Sequence, residues 1–481
     1  MGDIRGFLKR GRKDLGCRNV SERVEDFNNV YLPPSKDSSM EQASRCMDCA
    51  TPFCHWACPL GNYIPEWNDY LFKGNWREAL KLLDATNNMP EITGRLCPAL
   101  CEYSCVLGLN SDAISIRDNE LSIIEAGFKE GLIAPHIIED RTNKNVAIIG
   151  SGPAGLSCAA QLNRAGHNVT VFERDNKIGG ILRYGIPDFK LEKEILDRRI
   201  KIWEEEGIDF KVNIEVGEDY SAEELLEDFD AVCLACGSRV PRDLNIKGRE
   251  LRGIYFAMDY LIQANYIASK ETIDKDDCIN VKDKKVVVIG GGDTGADCVG
   301  TSHRNGAKSV IQIEVMPKPP ECRGDNEPWP LYPTLFKTST SHEEGGQREW
   351  SVLTKKFLGR DGAINKISCV KIEFEKESEN SCPSMREIPG SEFEIEADIV
   401  ILAIGFLHTE KSTLLSKLSI VFDERGNVKT DDCYMTSAKN IFSAGDMRIG
   451  QSLVAWAISE GRKAAYSMDK YLMGDSNLAV M

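Results

Sequence analysis

Two segments of this chain share one design. Val146-Ala147-Ile148-Ile149 runs into Gly150-Ser151-Gly152-Pro153-Ala154-Gly155, and Val286-Val287-Val288-Ile289 runs into Gly290-Gly291-Gly292-Asp293-Thr294-Gly295. A short apolar strand, a glycine turn and a helix, in that order, open a nucleotide-binding unit. The glycines let the backbone approach a pyrophosphate, and the helix N-terminus supplies positive partial charge. An acidic residue ending the next strand completes the pattern by accepting from ribose hydroxyls. Glu173 stands 18 residues beyond Gly155, and Glu314 stands 19 beyond Gly295. A glycine pattern alone would be weak; strand, helix and acid together make a chance turn the poorer reading. The spacing predicts an α/β chain with one kind of nucleotide unit used twice.

The two units are expected to be interleaved in sequence. Ala231–Gly237 and Ile399–Gly405 are apolar strands that each end in a glycine, Gly237 and Gly405, and both look like crossings between the units. Near the end, Asn440–Ala444 is a further strand, followed by Gly445-Asp446, then Gln451-Ser452-Leu453 and a helical stretch to Leu472. That arrangement fits a flavin. Asp446 would hold a ribityl hydroxyl, and a helix N-terminus at Ser452 and Leu453 would face the N1/O2 edge and stabilise the anionic reduced form. The second fingerprint is read as a site for a nicotinamide dinucleotide. Glu314 favours free ribose hydroxyls and repels a 2′-phosphate, and no Arg lies within Gln312–Met316, so NADH is expected over NADPH. The competing reading of Glu314 is an exposed strand-end acid. Pro317–Pro333 and the polar run Glu373–Ser391 read as a surface loop and a hairpin inserted in the second unit.

The region before Asn145 has a different character. It is rich in Cys, Pro and Asn, with short amphipathic stretches such as Glu66–Leu83. Seven of the 17 cysteines fall in two groups, Cys46-x2-Cys49-x4-Cys54-x3-Cys58 before Pro59, and Cys97-x3-Cys101-x3-Cys105. Closely spaced cysteines on a turn supply soft ligands at little loop-closure cost, and a final Cys before Pro matches runs that serve two cubane clusters. Seven thiolates are one short of eight. Structural zinc and disulfides are the competing readings; only Cys46 and Cys49 form the paired knuckle that zinc usually takes. His55, between Cys54 and Cys58, reads as a packing or supporting residue rather than a ligand. The scattered cysteines, including Cys158, Cys233, Cys236 and Cys298, read as small buried hydrophobes.

Composition narrows the function classes. At 481 residues the chain is long enough for about three domains. Its net charge of -16 repels phosphate backbones and anionic membranes, so nucleic acid is not an expected partner. No run reaches the roughly 18 apolar residues of a spanning helix, and the polar start lacks a signal segment. A cytoplasmic protein with reduced thiols is expected.

In order along the chain, the cysteine groups, Gly150–Gly155, Gly179-Gly180-Ile-Leu-Arg-Tyr-Gly-Ile-Pro187, Gly290–Asp297 and Ser443-Ala-Gly-Asp-Met447 resemble the glutamate synthase small subunit over nearly the whole length. They are also similar to part of dihydropyrimidine dehydrogenase. The resemblance implies a helical two-cluster iron–sulfur domain (1–144), then an FAD domain in two parts (145–245 and 398–481) interrupted by an NAD(H) domain (246–397). It implies one 4Fe-4S cluster on Cys46, Cys49, Cys54 and Cys105, and another on Cys58, Cys97 and Cys101 with Glu120 as eighth ligand. Arg174, next to Glu173, and Gly180 join the cofactor-binding set. Glu314 through Pro317-Lys-Pro-Pro-Glu321 resembles the NADH-using branch. The implied reaction carries hydride from NADH to FAD and single electrons through the clusters, with no side chain needed as acid or base. The implied acceptor is a large subunit holding FMN and another cluster, which makes L-glutamate from glutamine and 2-oxoglutarate. A subunit of another complex, such as a ferredoxin:NAD(P)H oxidoreductase, shares every one of these motifs and is the alternative.

Overall fold

The computed structural model describes residues 2–271, 278–375 and 384–479. From the N-terminus to Lys129 the chain forms short helices and one two-residue strand pair, Gly16–Cys17 with Tyr31–Leu32. The amphipathic stretch Glu66–Leu83 divides into Ile64–Phe72 and Trp76–Thr86, because Gly74 takes φ +73° and the Asn75 side chain caps the second helix. Trp67, Leu71, Leu83, Ile123 and Ile124 form its core. Helix Ile116–Lys129 packs across these elements.

Two five-stranded parallel sheets follow. The first has the order Ile441–Ser443, Ala231–Leu234, Asn145–Ile149, Asn168–Phe172, Asp209–Lys211. The second has the order Gln347–Glu349, Ser309–Ile313, Lys285–Ile289, Ile399–Leu402, Ile254–Phe256. Apart from the exposed Asn145, Asn145–Ile149 is buried throughout, as a parallel strand covered on both faces must be. An antiparallel sheet of Val352–Arg360, Ala363–Glu375 and Ser384–Glu396 projects from the second unit. The described parts of the polar run Glu373–Ser391 fall in its last two strands, and 376–383 lie outside the described residues.

One expected boundary moves. Ile399–Leu402 pairs with Lys285–Ile289 on one side and Ile254–Phe256 on the other, so a second-unit boundary at 397 falls one strand early. The return to the first sheet is completed by Ile441–Ser443. An all-buried apolar strand carries no mark of which sheet it joins.

Helix Pro153–Arg164 lies against the last helix, Val454–Met473, with Gly461 under the backbone of Ala154. A Cβ on Gly461 would sit 2.1 Å from the Ala154 carbonyl oxygen. The cysteine-rich domain is fastened to the first unit by buried polar groups. Arg199 grips Glu91 with two bonds of 2.6 and 3.0 Å, and Asn88 Oδ1 accepts from Arg462, Gln161 and Ser157. Residues 18–30 reach the second unit, where Arg23 and Arg304 share the buried Glu344. No helix among the described residues is long and apolar enough to cross a membrane.

Candidate functional site

The first fingerprint opens onto a cavity of about 410 Å³ that extends from Glu173 to Asp446. Gly150, Gly152, Pro153, Ala154, Arg174, Gly180 and Gly237 also line it. Gly150 adopts φ +100° and Gly290 φ +121°, conformations that favour glycine. Gly155 and Gly295 sit where a Cβ would strike the carbonyl oxygen of Gly150 at 2.0 Å and of Gly290 at 2.2 Å. Close packing of turn on helix is thus the same in both units.

Glu173 is buried and accepts from Ser151 N at 3.1 Å and Asp175 N at 3.0 Å. Arg174 pairs with Glu410 at 2.7 Å, also at the cavity wall. At the far end Gly445 precedes Asp446, the first residue of helix Asp446–Ile449. Burial pushes the Asp446 carboxyl up to about 6 although Ser452 Oγ donates to it at 2.6 Å. Leu453 is the N-cap of Val454–Met473, so the 20-residue helix points its N-terminus at this end of the cavity, where Ala457 is part of the lining. Cys236 departs from expectation: it is exposed to the cavity, because its strand has ended at Leu234. Cys158, Cys233 and Cys298 are buried.

In the second unit Gly292 is the N-cap of helix Asp293–Arg304, with Asp293, Thr294 and Gly295 in its first turn. Glu314 is half-buried and accepts from Gly291 N and from Met316 N at 2.8 Å. Gly405 follows Ile399–Leu402 at φ +86°, beside the mouth of the first cavity at Phe406. Pro317–Pro333 does not stand free as a surface loop. Trp329 packs at a tilt against Phe53, ring centres 4.5 Å apart, Ser104 Oγ donates to Pro330 O at 2.7 Å, and Arg323 Nη2 donates to Tyr103 O at 3.1 Å. The loop therefore ties the second unit to the cysteine-rich domain, and its aromatic residues were the signal for that.

The seven grouped cysteines separate into two sets. Cys46, Cys49, Cys54 and Cys105 line one small apolar cavity with Phe53, Ile64 and Leu107. Cys58, Cys97 and Cys101 gather around Glu120, whose charge acts on all three. Glu120 is buried on helix Ile116–Lys129 and accepts from Asn87 Nδ2 at 3.0 Å and from Thr93 Oγ1. Asn87 and Thr93 hold Glu120 in place, a role that spacing does not disclose. Burial raises the thiols, Cys58 to about 12 and Cys97 to about 11, and raises Glu120 to about 7. Backbone N–H groups of Asp48, Leu60, Asn62, Ala99 and Leu100 are nonetheless aimed at Cys46, Cys58 and Cys97. Buried sulfurs facing N–H donors suit thiolates neutralised by iron, as in a cubane site. Among the described residues no three His, Cys, Asp or Glu side chains converge on a single-ion position. Cubane ligands stand further apart, since each binds a different iron. His55 lies edge-on to Tyr63 at 5.4 Å.

Two Rossmann-like units, one with a cavity running from Glu173 to Asp446, joined to a cysteine-rich helical domain, define an NAD(P)H-linked flavin oxidoreductase with an iron–sulfur domain. The family model described as dihydropyrimidine dehydrogenase domain II, 4Fe-4S cluster, matches residues 23–132. The model described as pyridine nucleotide-disulphide oxidoreductase matches 144–327 and 348–461. The chain is 50% identical to the glutamate synthase (NADPH) small chain of Mycobacterium tuberculosis, across 99% of this chain and 98% of that one. It is 45% identical to the glutamate synthase (NADH) of Schizosaccharomyces pombe, across 99% of this chain and 23% of that one. The Mycobacterium tuberculosis oxidoreductase FprA in complex with NADPH superposes with a TM-score of 0.56 at 17% identity, over 69% of this chain and 85% of that one, a likeness of fold. The chain belongs to the glutamate synthase small-chain family.

Proposed function

We propose that the chain is the electron-input subunit of a glutamate synthase. It oxidises NADH in preference to NADPH and passes electrons through two 4Fe-4S clusters. The acceptor is a large subunit with FMN and an iron–sulfur centre that makes L-glutamate from glutamine and 2-oxoglutarate. The observation that carries the route is the position of Cys58. It packs both against the core of the first nucleotide unit and against that of the cysteine-rich domain. That contact supports a route in which the set Cys58, Cys97, Cys101 and Glu120 is the one nearer the flavin, and the set Cys46, Cys49, Cys54 and Cys105 the one nearer the acceptor.

FAD, when bound, takes up the two electrons of a hydride and releases them singly. The chain's own residues bind and orient. Gly150, Gly152 and the N-terminus of Pro153–Arg164 would hold the pyrophosphate, Glu173 the adenosine ribose and Asp446 a ribityl hydroxyl. The N-terminus of Val454–Met473 places positive partial charge by the flavin's polar edge. Gly290, Gly292 and Glu314 would repeat the arrangement for NADH, Glu314 opposing a 2′-phosphate as a like charge.

Affinity capture from the native host, followed by dye reduction with NADH and with NADPH, tests both parts. Recovery of a large FMN-containing subunit and a higher kcat/KM for NADH are expected. Capture of ferredoxin without that subunit would overturn the partner, and an NADPH preference would overturn the nucleotide.

A further inference from the structure

One stretch of the first unit, from Gly179 to Lys193, touches both fingerprints. At its start Gly179 N donates to Ser151 Oγ at 2.9 Å, and Gly180 lies on Gly152, where an added Cβ would come within 3.0 Å of the Gly152 Cα. Ile181, Tyr184 and Gly185 then line the cavity of the first unit. Further on, Phe189 and Lys190 reach the fingerprint helix of the second unit, Asp293–Arg304. Lys190 Nζ pairs with Asp297, and both side chains are mostly buried. The Phe189 ring lies over Gly300, whose added Cβ would meet its Cζ at 2.9 Å, and the Arg304 guanidinium carbon is 3.8 Å from the ring centre.

The loop that presents these two side chains is closed by another lysine. Lys193 Nζ, nearly solvent-free, donates to Ile186 O at 2.6 Å and to Leu191 O at 3.0 Å, and pairs with Asp188 at 3.0 Å. Three acceptors match the three donors of an ammonium, and they draw both ends of the loop from Ile186 to Leu191 onto one point. Pro187 O tightens it further by accepting from Lys190 N and Leu191 N, each at 3.0 Å. The second unit in turn supplies wall to the first cavity through Phe256, Met258, Asp259 and Ile262. Asn265 Nδ2 donates to Tyr184 O at 2.8 Å beside them. The two sites therefore share a wall, and the separation between them depends on how the fingerprint helix of the second unit is seated.

We propose that Lys190, acting through Asp297, is a positioning residue for hydride transfer. The pair fixes the second fingerprint helix against the stretch from Gly179 to Lys193 and so sets the nicotinamide site relative to the flavin site, with Lys193 keeping the loop in shape. The inference rests on the first fingerprint being the FAD site and the second the NAD(P)H site. It is independent of which dinucleotide is preferred and of the acceptor.

The test mixes full-length protein, loaded with FAD and iron, anaerobically with NADH and separately with NADPH. It follows flavin bleaching and the long-wavelength charge-transfer absorbance of a nicotinamide stacked on a flavin, while calorimetry with ADP-ribose reports binding at the second site alone. Lys190→Met is expected to lower the limiting rate of flavin reduction about tenfold and to weaken the charge-transfer band, with FAD content and ADP-ribose affinity within about twofold of wild type, because a small misplacement of reacting groups is costly. Lys190→Arg keeps the charge and should restore most of the rate. Removing one partner of a buried pair also weakens the fold, so Lys190→Met with Asp297→Leu is the second variant: free of both charges, it should regain wild-type stability in urea but not the wild-type rate. Wild-type rates and charge-transfer absorbance in either variant would overturn the proposal. So would a Lys190→Met defect confined to ADP-ribose affinity, which would make the lysine part of the binding site. Wild-type flavin reduced by neither dinucleotide would overturn the reading of the two sites, and the inference with it.

Discussion

Glu173 and Glu314 make corresponding hydrogen bonds in the two units. Oε2 of each accepts the N–H of the residue after the first fingerprint glycine, Ser151 or Gly291, and Oε1 accepts from two residues onward, Asp175 or Met316. They differ in burial: Glu173 also takes the Ser151 hydroxyl at 2.5 Å, whereas Glu314 is half-buried. The effects of removing them should therefore separate. Glu314→Ala is expected to lower kcat/KM for NADH by about tenfold and narrow the discrimination against NADPH, with FAD content unchanged. Glu173→Ala should lower FAD content and leave the NADH/NADPH ratio as it was. Dye reduction at matched ionic strength and flavin counting decide it; a Glu314→Ala variant with wild-type discrimination would refute the role.

Asp446 is expected to make flavin binding depend on pH. Burial is the main cause of its raised pKa of about 6, Ser452 opposes it and Glu460 adds to it. A carboxyl whose folded pKa is raised stabilises the FAD-free fold at acid pH, and that contribution is lost as pH rises from the usual 3.8 through about 6. A ribityl hydroxyl donating to the carboxylate favours the ionised form, so FAD affinity should increase through the same window. Binding measured by flavin fluorescence is expected to weaken about tenfold from pH 7 to pH 5, as one proton is taken up. Asp446→Asn should bind FAD weakly and without this slope; a retained slope would assign it to another group.

Iron content tests the two cysteine sets. Wild-type protein prepared anaerobically should hold about eight irons and about one FAD. Cys49→Ser should lose about four irons and some folding stability, since a small ligand-organised domain loses folding energy with its metal. Glu120→Ala should make the other set labile while Glu120→Cys restores it with a thiolate, read by iron assay and electron paramagnetic resonance. Full, stable iron in Glu120→Ala would exclude the carboxylate as ligand.

What the sequence disclosed was local. Gly150 to Glu173 lies within one βαβ unit, and the strand, turn and helix leave their periods in the residues. The position of Asp446 at the cavity wall was legible for the same reason, Asp446 being close in sequence to both its strand and its helix. Ile399–Leu402 was not placed correctly, since its residues would suit either sheet. Asn87 and Thr93, which hold Glu120, are about 30 residues from it, and no short-range pattern joins them. Gln312 left a trace that went unused: it is a polar residue in the otherwise apolar run Val310–Ile313, buried because the Gly290 carbonyl and His342 satisfy it.

The Glu91–Arg199 pair should govern how the iron–sulfur domain stays joined to the flavin unit. Glu91 is on helix Pro90–Leu96, just before Cys97, and Arg199 is on Lys193–Glu205 of the first nucleotide unit. Both side chains are nearly solvent-free, with exposures of 0% and 5%. Charge removed from water is costly, and here the two-pronged contact with Glu91 is the main offset for Arg199, helped by the nearby faces of Phe128 and Trp203. Glu91→Ala would leave the guanidinium buried without its anion, which typically costs about 3–5 kcal/mol. A double replacement, Glu91→Leu with Arg199→Met, removes both charges and should recover most of that loss. Urea unfolding followed by cluster absorbance and flavin fluorescence would distinguish the effects. In Glu91→Ala the cluster signal is expected to be lost at lower urea than the flavin signal, and in the double variant the two transitions should draw together. Coincident, wild-type transitions in Glu91→Ala would show that this pair does not hold the domains together.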